Sequence, residues 1–225
     1  MGKCRFFRML IGFITRLIRA MKVMKETKMK KTFTKFSELL KQRFSIGVYT
    51  TEDSIRYTFF AALMETTDVL PHNVVLEHPH NTINKAKVDT YITGTGDDDI
   101  VVEFKYHRQI PSKESLPKPQ LAGELFKDLF RLAQFKTQNA DKKLMRLFVY
   151  VTDPKMDQYL SDKDNNLVEF YNLQLGTSLK IDNKWCSNKR DSFINACGDI
   201  CDIMVTMEFL SCPGADHQLR IWSVT

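Results

Sequence analysis

Two carboxylates and an amine stand in a spacing that fits a reaction: Val88-Asp89, then thirteen residues, then Glu103-Phe104-Lys105. Residues two apart on a strand face the same side, so Glu103 and Lys105 share one face while Val102, Phe104 and Tyr106 take the other. Charges that interrupt so apolar a run are costly to bury unless a partner or a metal compensates them. Two convergent carboxylates make a hard-oxygen site of the kind magnesium or manganese accepts, completed by a backbone carbonyl such as that of Phe104 and by waters. A lysine in that field is expected to have a lowered pKa and to orient or deprotonate an attacking water. The metal would neutralise charge developing on a phosphodiester, so the chemistry is phosphodiester hydrolysis. An isolated Glu-x-Lys is ordinarily a pair of solvated alternating charges; the weight here comes from its conjunction with Asp89 and with the elements around it.

Those elements must bring Asp89 to Glu103. Gly94-Thr95-Gly96-Asp97-Asp98-Asp99 has turn composition and joins the runs 87–93 and 100–106 into a hairpin. A further extended run covers 74–77. Before the strands come helices over 33–44 and from Thr51-Glu52-Asp53 to about Glu65, the second with a capped start. After them, Pro111 to Pro119 marks a loop and 120–135 a helix with a broad apolar face. The run 146–152, continuously hydrophobic, reads as an interior strand. Beyond Asp153 the pattern predicts helices near 155–160 and 193–204 and strands near 207–212 and 219–224.

With 225 residues, 43% hydrophobic and 27% charged, the chain can bury one substantial core and is not disordered. The net charge of +6 is misleading as to location. Residues 1–31 hold ten Lys/Arg against Glu26, a local +9 that leaves −3 on the rest. A nucleic-acid reading of the body must therefore rest on local clusters, and Lys105, His107, Arg108, Lys113, Lys118, Lys127 and Arg131 form one suited to a phosphate backbone. The bland alternative for its loop and helix members is a solvated face.

Residues 5–22 form a basic amphipathic helix interrupted by arginines, which fits neither a signal peptide nor a spanning helix. Membrane-surface binding, phosphate contact and a translated leader are its three readings. The five cysteines include no Cys-x-x-Cys pair. Reduced, buried thiols in the cytoplasm are expected rather than a zinc site. Neither a nucleophile elbow nor a dinucleotide fingerprint occurs.

Val88-Asp89 followed by Glu103-Phe104-Lys105 resembles the PD-(D/E)XK nuclease superfamily, which includes the type II restriction endonucleases, with Val88 in place of the proline of the name. The resemblance covers about residues 52 to 153. It implies an α/β fold: a restriction-endonuclease-like core in the order α-β-β-β-α-β, a central mixed sheet flanked by helices, and a C-terminal α+β extension. The corresponding division is a basic extension over 1–31 and one domain over 32–225, with its core at 52–153 and the extension at 154–225. The resemblance carries the catalytic motif to Asp89, Glu103 and Lys105. It places a further acidic residue at Glu52 or, as a rival, Glu77, and a glutamine near the metal at Gln120. It implies a magnesium- or manganese-dependent endonuclease of DNA, in restriction, defence or repair; double-strand cleavage by a single-site enzyme would in turn call for a homodimer. The alternative is a catalytically silent nucleic-acid-binding or interaction module with the same fold.

Overall fold

A computed structural model describes residues 29–95, 98–108, 117–137 and 141–225. The basic helix expected over 5–22 and Lys113 lie outside these. The order is α1 (29–45), α2 (Glu52–Thr66), β1 (Val74–Pro79), β2 (Lys87–Thr95), β3 (Asp98–His107), α3 (Lys118–Gln134) and β4 (Lys143–Thr152). There follow α4 (Pro154–Ser161), α5 (Val168–Tyr171), β5 (Ser178–Ile181), α6 (Asn183–Cys186), α7 (Asp191–Cys197), β6 (Ile203–Gly214) and β7 (His217–Val224).

Local chemistry sets the helix starts that matter for the site. The Thr51 side chain accepts from Ser54 N–H, and Ser54 Oγ accepts from Thr51 N–H. This reciprocal cap fixes where α2 begins, and it leaves Glu52 and Asp53 in the first turn, where the helix dipole favours negative charge. In α3, Pro119 occupies the first turn, where its missing N–H costs nothing.

The seven strands form one mixed sheet in the order β1-β2-β3-β4-β7-β6-β5. Only β3 and β4 are parallel, joined by α3 as the crossover that a parallel pair requires. Helices cover both faces. On one side α1 and α2 set Phe36, Leu40, Phe59 and Leu63 against Phe104, Val149 and Ile221. Phe59 meets Phe36 and Phe104 edge-on, with centroids 5.4 and 5.5 Å apart. On the other side α3, α5 and α7 set Phe126, Leu129, Phe170 and Phe193 against Phe148, Tyr150 and Trp222. Each such side chain, fully buried, contributes about 1.5–3 kcal/mol.

The C-terminal third, α+β in content, is built into the same sheet. It supplies β5, β6 and β7, and β7 pairs with β4, so β4 is interior because the end of the chain covers it. The helix expected over 193–204 stops at Cys197. Gly198 follows with φ of 67°, a conformation L side chains resist, and Ile203 and Met204 begin β6 instead. Among the described residues no helix is long and apolar enough to cross a membrane.

Candidate active site

The hairpin of β2 and β3 comes apart at one end, and the chemistry lies there. Its ladder runs from Thr95↔Asp98 to Thr90↔Val102. Beyond that, Lys87 and Val88 stay paired with β1 while Glu103 to His107 stay paired with β4. At the fork the Asp89 side chain takes the place of a ladder carbonyl: its Oδ2 accepts from Phe104 N–H at 2.8 Å. Phe104 itself is held in register against Val149.

Two helices close on the fork from opposite faces. From α2, buried Arg56 reaches Asp89 Oδ1 and Glu77 Oε1, each at 3.1 Å. From α3, Arg131 donates to Glu103 Oε2 at 2.9 Å and also contacts Asp128 Oδ1 at 3.1 Å. Asp128 Oδ2 in turn accepts from Lys105 Nζ at 3.0 Å. Glu103 and Lys105 therefore both project towards α3, as their two-residue spacing requires. Glu52, at the first turn of α2, accepts from Tyr106 N–H at 2.9 Å and feels the charges of Lys105 and Asp89. Glu77 stands opposite Asp89 in the β1/β2 register but adopts a left-handed backbone with φ of 49°, and its side chain is half exposed.

The network is crowded with carboxylates. Glu103 is 1% exposed; burial, then the neighbouring Asp89 charge, pushes its pKa well above the ordinary value. Burial likewise raises Asp89, against the Phe104 N–H and Arg56, and Glu103 is within hydrogen-bonding range of it. Burial raises Glu52 as well. Glu103 Oε1 is buried and finds no donor among the described residues. A lone oxygen facing a second carboxylate is resolved either by a shared proton or by a hard cation, and these oxygens are of the type magnesium or manganese takes. As the side chains stand, guanidiniums occupy Asp89 Oδ1 and Glu103 Oε2, and the Phe104 N–H occupies Asp89 Oδ2. Among the described residues no group of three or more histidine, cysteine, aspartate or glutamate side chains is gathered as for a metal.

Lys105 departs from the lowered pKa expected of it. Burial alone would lower it, but Asp128, Glu52 and Glu124 together outweigh burial and hold the ammonium above its ordinary value. Held so, it is a charged group that can orient a water or phosphoryl oxygen. Arg56 and Arg131 each keep one buried Nε–H without an acceptor.

Of the remaining residues singled out from sequence, Gln120 lies in the first turn of α3, eight residues and about 12 Å of helix before Asp128. Among the described residues it makes no hydrogen bond to the cluster. His107 is buried against the Tyr150 hydroxyl at 2.8 Å, and burial, then Lys105, pushes it down to about 3. Arg108 donates to Thr50 O and covers the Tyr49 ring, with 4.2 Å from guanidinium carbon to centroid. Lys118 lies 6.0 Å from the Tyr159 centroid, and Lys127 is exposed on α3.

Sequence reasoning passed over Arg56 and Asp128. Their signal was a charge inside a helix's apolar stripe: Arg56 between Ile55 and Phe59, Asp128 between Leu125 and Leu129. A charge buried there needs an opposite charge nearby.

The chain matches no protein-family model, no curated protein and no solved structure. Its class is accordingly what the fold and the site define: an α/β protein with a seven-stranded mixed sheet and a buried carboxylate–guanidinium network at the fork of two strands.

Proposed function

We propose that this chain is a divalent-metal-dependent endonuclease of DNA, with a core like that of the restriction endonucleases and the PD-(D/E)XK superfamily. The observation that carries the reading is the pair Asp89 and Glu103 at the fork of β2 and β3, facing each other with Glu103 Oε1 unsatisfied and Lys105 on the same side. Asp89, Glu103 and the Phe104 carbonyl would hold magnesium or manganese, with Glu52 and Glu77 at the margin. Bound there, the ion supplies a Lewis acid for the phosphoryl oxygen and a more acidic water.

The chain's own groups do the rest. Lys105, kept charged and steered by Asp128, orients the attacking water and meets negative charge as it develops. Arg131 and Arg56 hold the carboxylates in the absence of metal. Arg108, Lys118 and Lys127, with Lys113, would follow the backbone. His107 is too buried to reach DNA and supports β4 through Tyr150. Cutting both strands calls for two copies of a single-site enzyme, hence a homodimer. Cytoplasmic restriction, defence or repair is the setting that fits.

A second reading, a catalytically silent nucleic-acid-binding module, is favoured by the guanidiniums themselves, which balance the carboxylates without a metal. Plasmid incubation with magnesium, manganese or calcium separates the two. The nuclease cuts with the first two and binds without efficient turnover in calcium, a larger and more loosely coordinated ion. Asp89→Ala, Glu103→Ala and Lys105→Ala should each abolish cutting, the last with metal affinity kept. Intact plasmid and oligonucleotides under every metal, or a Glu103→Ala variant as active as wild type, leave only the silent module.

A further inference from the structure

A cavity of about 560 Å3 opens where the C-terminal end of α1, the segment 46–50 and the turn between β6 and β7 meet the end of β3. That is the volume of a small-ligand site. Its walls combine flat aromatic surface with cations. Tyr49 is 71% exposed and carries the Arg108 guanidinium over its ring. Phe44 and His217 stack 4.2 Å apart and 8° from parallel, and His217 Nε2 lies 3.1 Å from the Tyr106 hydroxyl. Lys41 lines the cavity without an ion pair among the described residues, so that it and Arg108 outnumber the carboxylate of Asp216.

An exposed ring backed by a guanidinium offers a face to a heteroaromatic ring, and an unpaired ammonium beside it offers a counter-charge to phosphate. One link joins the cavity to the carboxylate network: Tyr106, which lines it, donates its N–H to Glu52. A base stacked within a duplex cannot present its face to Tyr49, whereas an unpaired one can. We propose that this cavity takes one unpaired nucleotide of a single-stranded segment, its base against Tyr49 and its phosphate towards Lys41 and Arg108. The proposal rests on the nucleic-acid reading above and specifies its substrate: a strand with at least one unstacked base.

Binding without turnover tests it. Fluorescence anisotropy of the full chain in EDTA compares a labelled single strand, a blunt duplex and the same duplex with a single-stranded tail. The strand and the tailed duplex should bind more tightly than the blunt duplex. Tyr49→Ala should weaken these two about tenfold and leave the blunt duplex unchanged, the loss expected for one stacked base. Tyr49→Phe, which keeps the ring, should bind as wild type, and that rescue separates stacking from a merely structural role. Lys41→Ala should flatten the salt dependence for the single strand by one phosphate contact. Equal loss on all three ligands, or none on any, overturns the subsite. If the blunt duplex is nonetheless bound and cut with magnesium, the nuclease reading stands without it. Tyr49-dependent strand binding with no cutting under any metal keeps the subsite and removes the nuclease.

Discussion

Glu103 is the residue on which most of the site's energetics turns. Its carboxyl is buried, shares Arg131 with Asp128, and faces Asp89 with one oxygen unsatisfied. Glu103→Gln keeps an acceptor for Arg131 and gives Asp89 an amide donor. It should stabilise the metal-free protein by about 1 kcal/mol at neutral pH while abolishing cleavage. Thermal denaturation with millimolar magnesium supplies the companion measurement: the midpoint should rise in wild type, since a ligand that binds only the folded state stabilises it, and should not rise in the variant. His107 governs acid stability. Its folded pKa is pushed down to about 3, so the folded chain keeps it neutral while the unfolded chain protonates it below 6.5. The stability it confers is complete above 6.5 and is lost as pH falls from there to about 3, by about 1.4 kcal/mol per pH unit for one proton. Wild type and His107→Gln, compared by urea denaturation, should therefore converge in stability by that slope as the solution is acidified. Parallel curves would show that His107 titrates freely in the folded protein.

At the scale of elements, α3 matters twice over. One stripe carries Asp128 and Arg131 to the fork, and another packs so closely on α7 that only glycine fits at 123. A Cβ built there would lie 2.3 Å from Phe193 O and 2.6 Å from Ala196 Cβ. Gly123→Ala, despite its better helix propensity, should cost about 1–3 kcal/mol by forcing α7 away. Because α3 and its charges would tilt with that shift, cleavage should fall alongside the denaturation midpoint. A variant as stable as wild type would mean that α7 yields freely.

For the molecule as a whole, the sheet is completed by its last strands. β7 lies between β4 and β6, and Trp222 stacks on Phe170 beside Phe148 and Tyr150. A chain ended at residue 202 would turn β4 into an edge and expose much of both cores, although Asp89, Glu103, Lys105 and the helix residues that pair with them all precede that point. It should fail to fold cooperatively, as read by loss of a sigmoidal thermal transition in circular dichroism. A truncated chain that melts cooperatively would show that the fold does not depend on β6 and β7.

The amino-acid pattern by itself determined what depends on neighbours along the chain. The capped start of α2, the hairpin of β2 and β3, the interior character of β4 and the shared face of Glu103 and Lys105 all follow from turn composition and from the periods of helix and strand. It also singled out Asp89 and Glu103. Only the tertiary structure decided their surroundings, because charge pairing joins residues far apart in sequence. Arg56 meets Asp89 across 33 positions and Arg131 meets Glu103 across 28. Asp128, Glu52 and Glu124, brought to Lys105 from two helices, are why its pKa is held above the ordinary value where its strand neighbours alone predict a depressed one. In the same way, β7 beside β4 is a choice of sheet order, made by burying the Trp222 and Ile221 faces at once, and no period along the strand encodes which neighbour it takes.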